Sequence, residues 1–123
     1  MTSSVVTATD LEIIEEKSEE GTLVRLRGRL SIDSSPDFRD RLLALLRRQS
    51  PTAVIVDLSE VSYMDASGVA TLVEGLKIAR NRQTTLTLKG LQGRVRHLFE
   101  VTGLLTLFET CGGKSASSEV KVS

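Results

Sequence analysis

The chain is 123 residues long, one domain's worth of protein, with 40% hydrophobic and 26% charged residues. Only 3% is aromatic and Trp is absent, so the core must be built from Leu, Val and Ile. Sixteen basic residues balance sixteen acidic ones, which argues against the concentrated basic face of a nucleic-acid binder, and the single Cys111 excludes an internal disulfide or a multi-cysteine metal site.

Residues 1–10 are small and polar and are expected to be loose. They lack the basic start and apolar stretch of a signal peptide. No apolar run approaches the ~20 residues needed to span a bilayer, so a cytoplasmic protein without direct membrane insertion is expected. Leu11-Glu12-Ile13 and Leu23-Val24-Arg25-Leu26-Arg27 alternate as strands do, and Glu19-Glu20-Gly21 between them reads as a hairpin turn. Arg25, Arg27 and Arg29 then share one face, with Val24, Leu26 and Leu30 on the other.

Ser34-Ser35-Pro36-Asp37 is a helix start: a serine to cap free N–H groups, Pro for the first turn, and an acid for the positive end of the dipole. Phe38, Leu42, Leu45 and Leu46 form one helical stripe, which Pro51 ends. Ala53 to Leu58 is apolar on both faces, as in a central, doubly covered strand. A loop over 59–66 is expected next, then a helix from about Ser67 to Asn81 with Val69, Leu72, Leu76 and Ala79 inward. Thr84 to Leu88 reads as a strand. Leu91, Val95, Leu98 and Phe99 form a third helical stripe, stopped at Gly103. Leu104 to Phe108 fits either a short strand or a further helix. The tail 111–123 is too poor in apolar residues to fold and is expected to be disordered. Strands separated by helices imply parallel crossovers, so the expected architecture is α/β: a mixed sheet of four to five strands covered by helices, with an N-terminal hairpin, over residues 11–110.

The most informative segment runs from Asp57 to Gly68, where a buried strand ends and Asp65-Ala66-Ser67-Gly68 opens a helix. Function on α/β sheets tends to lie at such strand ends. Two readings stand side by side. Asp and Ser are preferred helix caps and Gly eases the turn; alternatively Ser67 is an exposed hydroxyl for covalent modification, with Gly68 letting another molecule approach the backbone. Asp65 can cap while Ser67 is presented. A hydrolytic serine is not expected, because the only histidine, His97, sits in the third helix and no glycine stands two residues before Ser67. Asp57 lacks a companion acidic pair for a metal. Gly90 and Gly93 lack the P-loop lysine, and no cofactor is expected.

The run Asp57-Leu58-Ser59-Glu60-Val61-Ser62-Tyr63-Met64-Asp65-Ala66-Ser67-Gly68 resembles the STAS domain of bacterial anti-sigma factor antagonists. Leu23 to Leu30, Lys89-Gly90-Leu91, Val95, Leu98-Phe99 and Thr102-Gly103-Leu104 extend the resemblance to about residues 11–109. It implies a non-enzymatic partner switch. The unphosphorylated domain binds an anti-sigma factor that is also a serine kinase, the kinase phosphorylates Ser67, and a serine phosphatase restores binding. It further implies partner contacts at Ser31, Asp33, Met64, Asp65, Ala66, Gly68 and Thr71. Two departures stand out. Arg29 and Ser31 replace residues that are commonly acidic, with Asp33 two positions on, and Ala66 stands where a second serine often sits. The alternative within the same family is an unphosphorylated docking subunit of a membrane transporter of the lipid-transport ABC kind.

Overall fold

The structure, a computed structural model, describes residues 3–8, 10–19, 21–49, 51–106, 115–116 and 121–122. Strands β1 (Ser3–Ala8), β2 (Leu11–Ser18) and β3 (Gly21–Leu30) run antiparallel in sequence. Helix α1 (Ser35–Ala44) widens into a π-helical turn at Leu45–Gln49 and leads to β4 (Ala53–Met64). Helix α2 (Ala66–Asn81), β5 (Thr85–Lys89) and α3 (Gly93–Val101) follow. The five strands form one mixed sheet in the order β1-β2-β3-β4-β5, with β3, β4 and β5 parallel to one another through the α1 and α2 crossovers. This is the α/β architecture expected.

Periodicity explains the packing. On β3, Val24, Leu26 and Leu30 are buried while Arg25, Arg27 and Arg29 point the other way. Phe38, Leu42, Leu45 and Leu46 from the α1 segment, Leu72, Leu76 and Ala79 from α2, and Val95 and Phe99 from α3 join them in one cluster with Val54, Val56, Leu86 and Leu88. Each large apolar side chain so buried contributes about 1.5–3 kcal/mol. The arginine face carries ion pairs instead. Arg27 pairs with both Glu12 and Glu60, at 3.1 and 2.9 Å, and Arg25 lies 3.6 Å from Asp57. Ile55 shares that face with Arg25 and Asp57 by register and is only half-buried, so β4 is less fully covered than its composition suggests.

Several expectations need correction. Ser3–Ala8, expected loose, form an edge strand, because Val5, Val6 and Thr7 are β-branched and an edge strand needs only one partner's backbone. The expected loop over 59–66 is mostly strand: β4 continues to Met64 against β3 through two register shifts, and only Asp65 separates it from α2. Exposure of both Ser62 and Tyr63 breaks the alternation that marks a strand. Ser34 occupies the N-cap of α1 without capping it, since its hydroxyl donates to the Arg29 carbonyl (2.7 Å) and accepts from the Ser31 amide (3.0 Å). The positive φ of Gly103 agrees with its place after α3, and residues 104–106 form a helical turn. Cys111 and the rest of the 111–123 tail lie outside the described residues, except for a short antiparallel pairing of β6 (Ser115–Ala116) with β7 (Lys121–Val122).

Candidate functional site

The connection from β4 to α2 is a single residue, so the strand's carboxyl end delivers Asp65 directly to the helix N-terminus. One oxygen of its carboxylate accepts from the Ser67 amide (3.0 Å), the Gly68 amide (3.3 Å) and the Ser67 hydroxyl (2.5 Å). The other accepts from the Ile32 amide (3.0 Å) in the loop between β3 and α1. Asp65 is thus both cap and clasp: it satisfies donors that the helix leaves open and ties the 31–34 loop across the site.

Ser67, one residue inside the helix start, is half-buried at the floor of a groove of about 320 Å³. Its oxygen lies 3.0 Å from the Ser35 hydroxyl at the start of α1. Because Ser67 gives its proton to Asp65, the Ser35 hydroxyl is the donor in that second contact. Ser35, Pro36, Arg39 and Asp40 of α1 form one wall, and Ala70, Thr71 and Glu74 of α2 the other. Arg39 spans the groove to Glu74 through two bonds, at 2.8 and 2.7 Å. Ile32 stands at the rim with 72% of its surface exposed.

The site residues expected from the sequence divide into a surface and a support. Asp33 and Ala66 are exposed, and Asp65 and Ser67 half-buried. Ser31, Met64, Gly68 and Thr71 are buried. Thr71 donates to the Ser67 carbonyl (2.9 Å), and the Ser31 hydroxyl accepts from the Asp33 amide (3.3 Å). Gly68 does not open the backbone to an outside molecule. A Cβ there would come within 2.8 Å of both Leu30 and Met64, so the missing side chain lets α2 settle on the protein's own core. Arg29 lies over the Tyr63 ring at 4.2 Å. His97 lines a different groove, with Tyr63, Arg94 and Val101. Ile32 and Ser35 escaped the sequence reading: an apolar residue between Ser31 and Asp33 is a weak signal, and nothing in sequence links positions 35 and 67.

Among the described residues there is no cluster of His, Cys, Asp and Glu able to hold a metal, and no helix is long and apolar enough to cross a membrane. Glu74 is held below its ordinary value by its bonds to Arg39, and two further carboxyls are lowered in spite of burial. Burial resists ionisation of Asp65, but the Ser67 hydroxyl and the Gly68, Ile32 and Ser67 amides outweigh it and hold the carboxyl below its ordinary value. At Asp57 burial is likewise overcome, by the Ser59 amide and hydroxyl and by Lys89 and Arg25. Both depressed groups stabilise the fold above the ordinary carboxylate range, and that contribution is lost as pH falls through their folded values. The urea midpoint should therefore drop below about pH 4, with a flatter acid limb in Asp65→Asn. At neutral pH, Asp65→Ala should lower stability by about 1–2 kcal/mol in urea titrations through loss of the cap.

The chain is similar to known proteins over most of its length. The family described as "Mlab, STAS domain" matches residues 13–109. The anti-sigma-B factor antagonist of Listeria monocytogenes is 32% identical over 96 residues, covering 78% of this chain and 83% of that protein. A crystal structure of an anti-sigma factor antagonist from Mycobacterium paratuberculosis superposes with a TM-score of 0.68 at 20% identity, covering 83% and 86% of the two chains. The Bacillus cell fate determinant SpoIIAA in its phosphorylated form superposes at 0.60 with 19% identity, covering 84% and 85%.

Proposed function

The chain belongs to the STAS domain family, and from that premise we propose that it is an anti-sigma factor antagonist whose hold on an anti-sigma factor, itself a serine kinase, is released by phosphorylation of Ser67. The observation that carries this reading is the setting of the Ser67 hydroxyl. It lies at the N-terminus of α2 in an open groove that the exposed Ile32 also lines, within the area a partner would cover if it bound the 31–34 loop and the start of α2. The names of the relatives supply the class of partner, and the phosphorylated SpoIIAA supplies a precedent on the same fold.

Phosphorylation acts at this position by charge. The Ser67 oxygen loses the proton it donates to Asp65 when it becomes an ester, so the shortest bond in the site is broken. A group carrying about −1.5 to −2 charges then faces a carboxylate that stays ionised in its bonds to the Gly68 and Ile32 amides. Covered by a partner, that pair of like charges is poorly solvated and repelled. In the free domain it faces water and the positive end of α2. A serine phosphatase reverses the change, and the whole cycle is cytoplasmic.

The test is to incubate the protein with a lysate of its own cells and ATP, capture its partners, and map phosphate by mass spectrometry. The expected result is one phosphate, on Ser67, and capture of a kinase by the unmodified form only. Capture of a permease complex by a chain that takes up no phosphate contradicts this reading and favours the transporter-docking subunit.

A further inference from the structure

We infer that α1 carries a built-in receptor for the phosphate of Ser67, made of the Ser35 hydroxyl and the Arg39 guanidinium, and that Arg39 exchanges Glu74 for the phosphate when Ser67 is modified. The inference rests on the reading of Ser67 as a phosphorylation site. It adds where the phosphoryl group goes inside the domain and what the move does to the groove.

Three observations carry it. The Ser35 hydroxyl already donates to the Ser67 oxygen at 3.0 Å, while Asp65, on the other side, only accepts. A phosphate on Ser67 therefore meets a donor on the α1 side and a like charge on the α2 side, and is driven toward α1. Arg39 follows Ser35 by four residues on α1, one turn or about 6 Å along the same face, within reach of an arginine stem. It lines the groove that Ser67 floors. Its present partnership with Glu74 is a fork of two bonds between side chains 47% and 38% exposed. Water at the half-exposed pair lowers the cost of opening this fork, and a phosphate dianion offers the same fork more charge.

The exchange changes more than one charge. Glu74, on the α2 wall, loses its hydrogen-bonded cation and keeps only the weaker attraction of Arg47 and Lys77. The groove mouth then presents Glu74 and Asp40 in addition to the phosphate, so the face turned to a partner becomes acidic over two turns of α2. The charged groups around the exchange are Asp65 and Glu74 from α2 and its entry, and Arg39 and Asp40 from α1, with Lys77 of α2 and Arg47 after α1 acting on Glu74 from farther off.

The test uses the full chain with phosphoserine installed at position 67 by genetic encoding, so that no kinase is needed, and follows the second ionisation of the phosphate by phosphorus NMR. Arg39→Gln should raise that pKa by about half a unit or more, since a nearby cation favours the dianion. Ser35→Ala should raise it by less, and Glu74→Gln, which frees Arg39 from its competitor, should lower it. All three changes avoid the apolar core. A titration that Arg39→Gln and Glu74→Gln both leave unmoved overturns the receptor. Failure of Ser67 to take phosphate in a lysate sinks the switch but leaves this titration to report on the receptor alone.

Discussion

Ser67→Glu is expected to weaken binding to the anti-sigma factor by at least about 100-fold, while Ser67→Ala stays within about tenfold of the parent. A factor of 100 corresponds to about 2.7 kcal/mol, within what a like charge brought into a close interface costs. The glutamate places a permanent carboxylate beside Asp65, whose own ionised state is fixed by amides of Ile32 and Gly68 that the substitution leaves in place. The two charges can separate in the free protein, where the groove is open, but not under a partner. Alanine removes the bonds to Asp65 and Ser35 without adding charge, and the cap remains. Calorimetric titration of the three proteins with the purified partner decides the matter. Equal weakening by both variants would show that the hydroxyl is itself a binding contact and that charge is not the switch.

Gly28→Ala should lower folding stability by about 3 kcal/mol, measured as a shift of the urea midpoint with unchanged slope. Gly28 has φ of +115°, a backbone conformation that side chains resist, and its would-be Cβ lands against the carbonyl oxygen of Asp10. The Asp10 carbonyl cannot retreat, because it accepts from the Arg29 amide at 2.9 Å. The strain falls where β3 shifts register against β4, so that Leu30 and Met64 come side by side beneath Gly68. A loss of less than about 1 kcal/mol would mean that the strand edge yields and that this crossing is not fixed by Gly28.

The parts of the fold legible in the sequence are those where one periodicity runs unbroken. Phe38, Leu42, Leu45 and Leu46 all reach the core, as do Val69, Leu72, Leu76 and Ala79, because a helical stripe has only one way to face the sheet. Capping by Asp65 was legible for a related reason, since a short carboxylate before an amphipathic run has open amides within reach. Strand residues at 59–64 were not. Ser62 and Tyr63 are both exposed there, Tyr63 beside Arg29 and Ser62 through a bond to the Gly28 carbonyl. β1 was hidden for the opposite reason: an edge strand satisfied through its backbone leaves little pattern in its side chains.

The candidate site was half legible. Ser67, Asp65 and Gly68 announce themselves as neighbours in sequence, but their division of labour is tertiary. Gly68 reads as an opening for a partner, and only its contacts with Leu30 and Met64 show the space to be filled from within. The Ser35 hydroxyl and the Arg39–Glu74 bridge join positions 32 and 35 residues apart through the packing of α1 on α2. No local spacing encodes that pairing. Ile32 belongs to the same class, an apolar side chain stranded in a turn by the clasp between its amide and Asp65.

In the proposed switch, one reversible phosphate on Ser67 decides whether this domain can displace a sigma factor from its anti-sigma factor. Its most direct measurement adds the protein, unmodified or carrying phosphoserine at 67, to a preformed complex of sigma factor and anti-sigma factor, and reads the sigma factor released. The unmodified chain should free sigma factor in proportion to the amount added, and the phosphorylated chain should free none over the same range. Equal release by both forms, or release by neither, contradicts the claim.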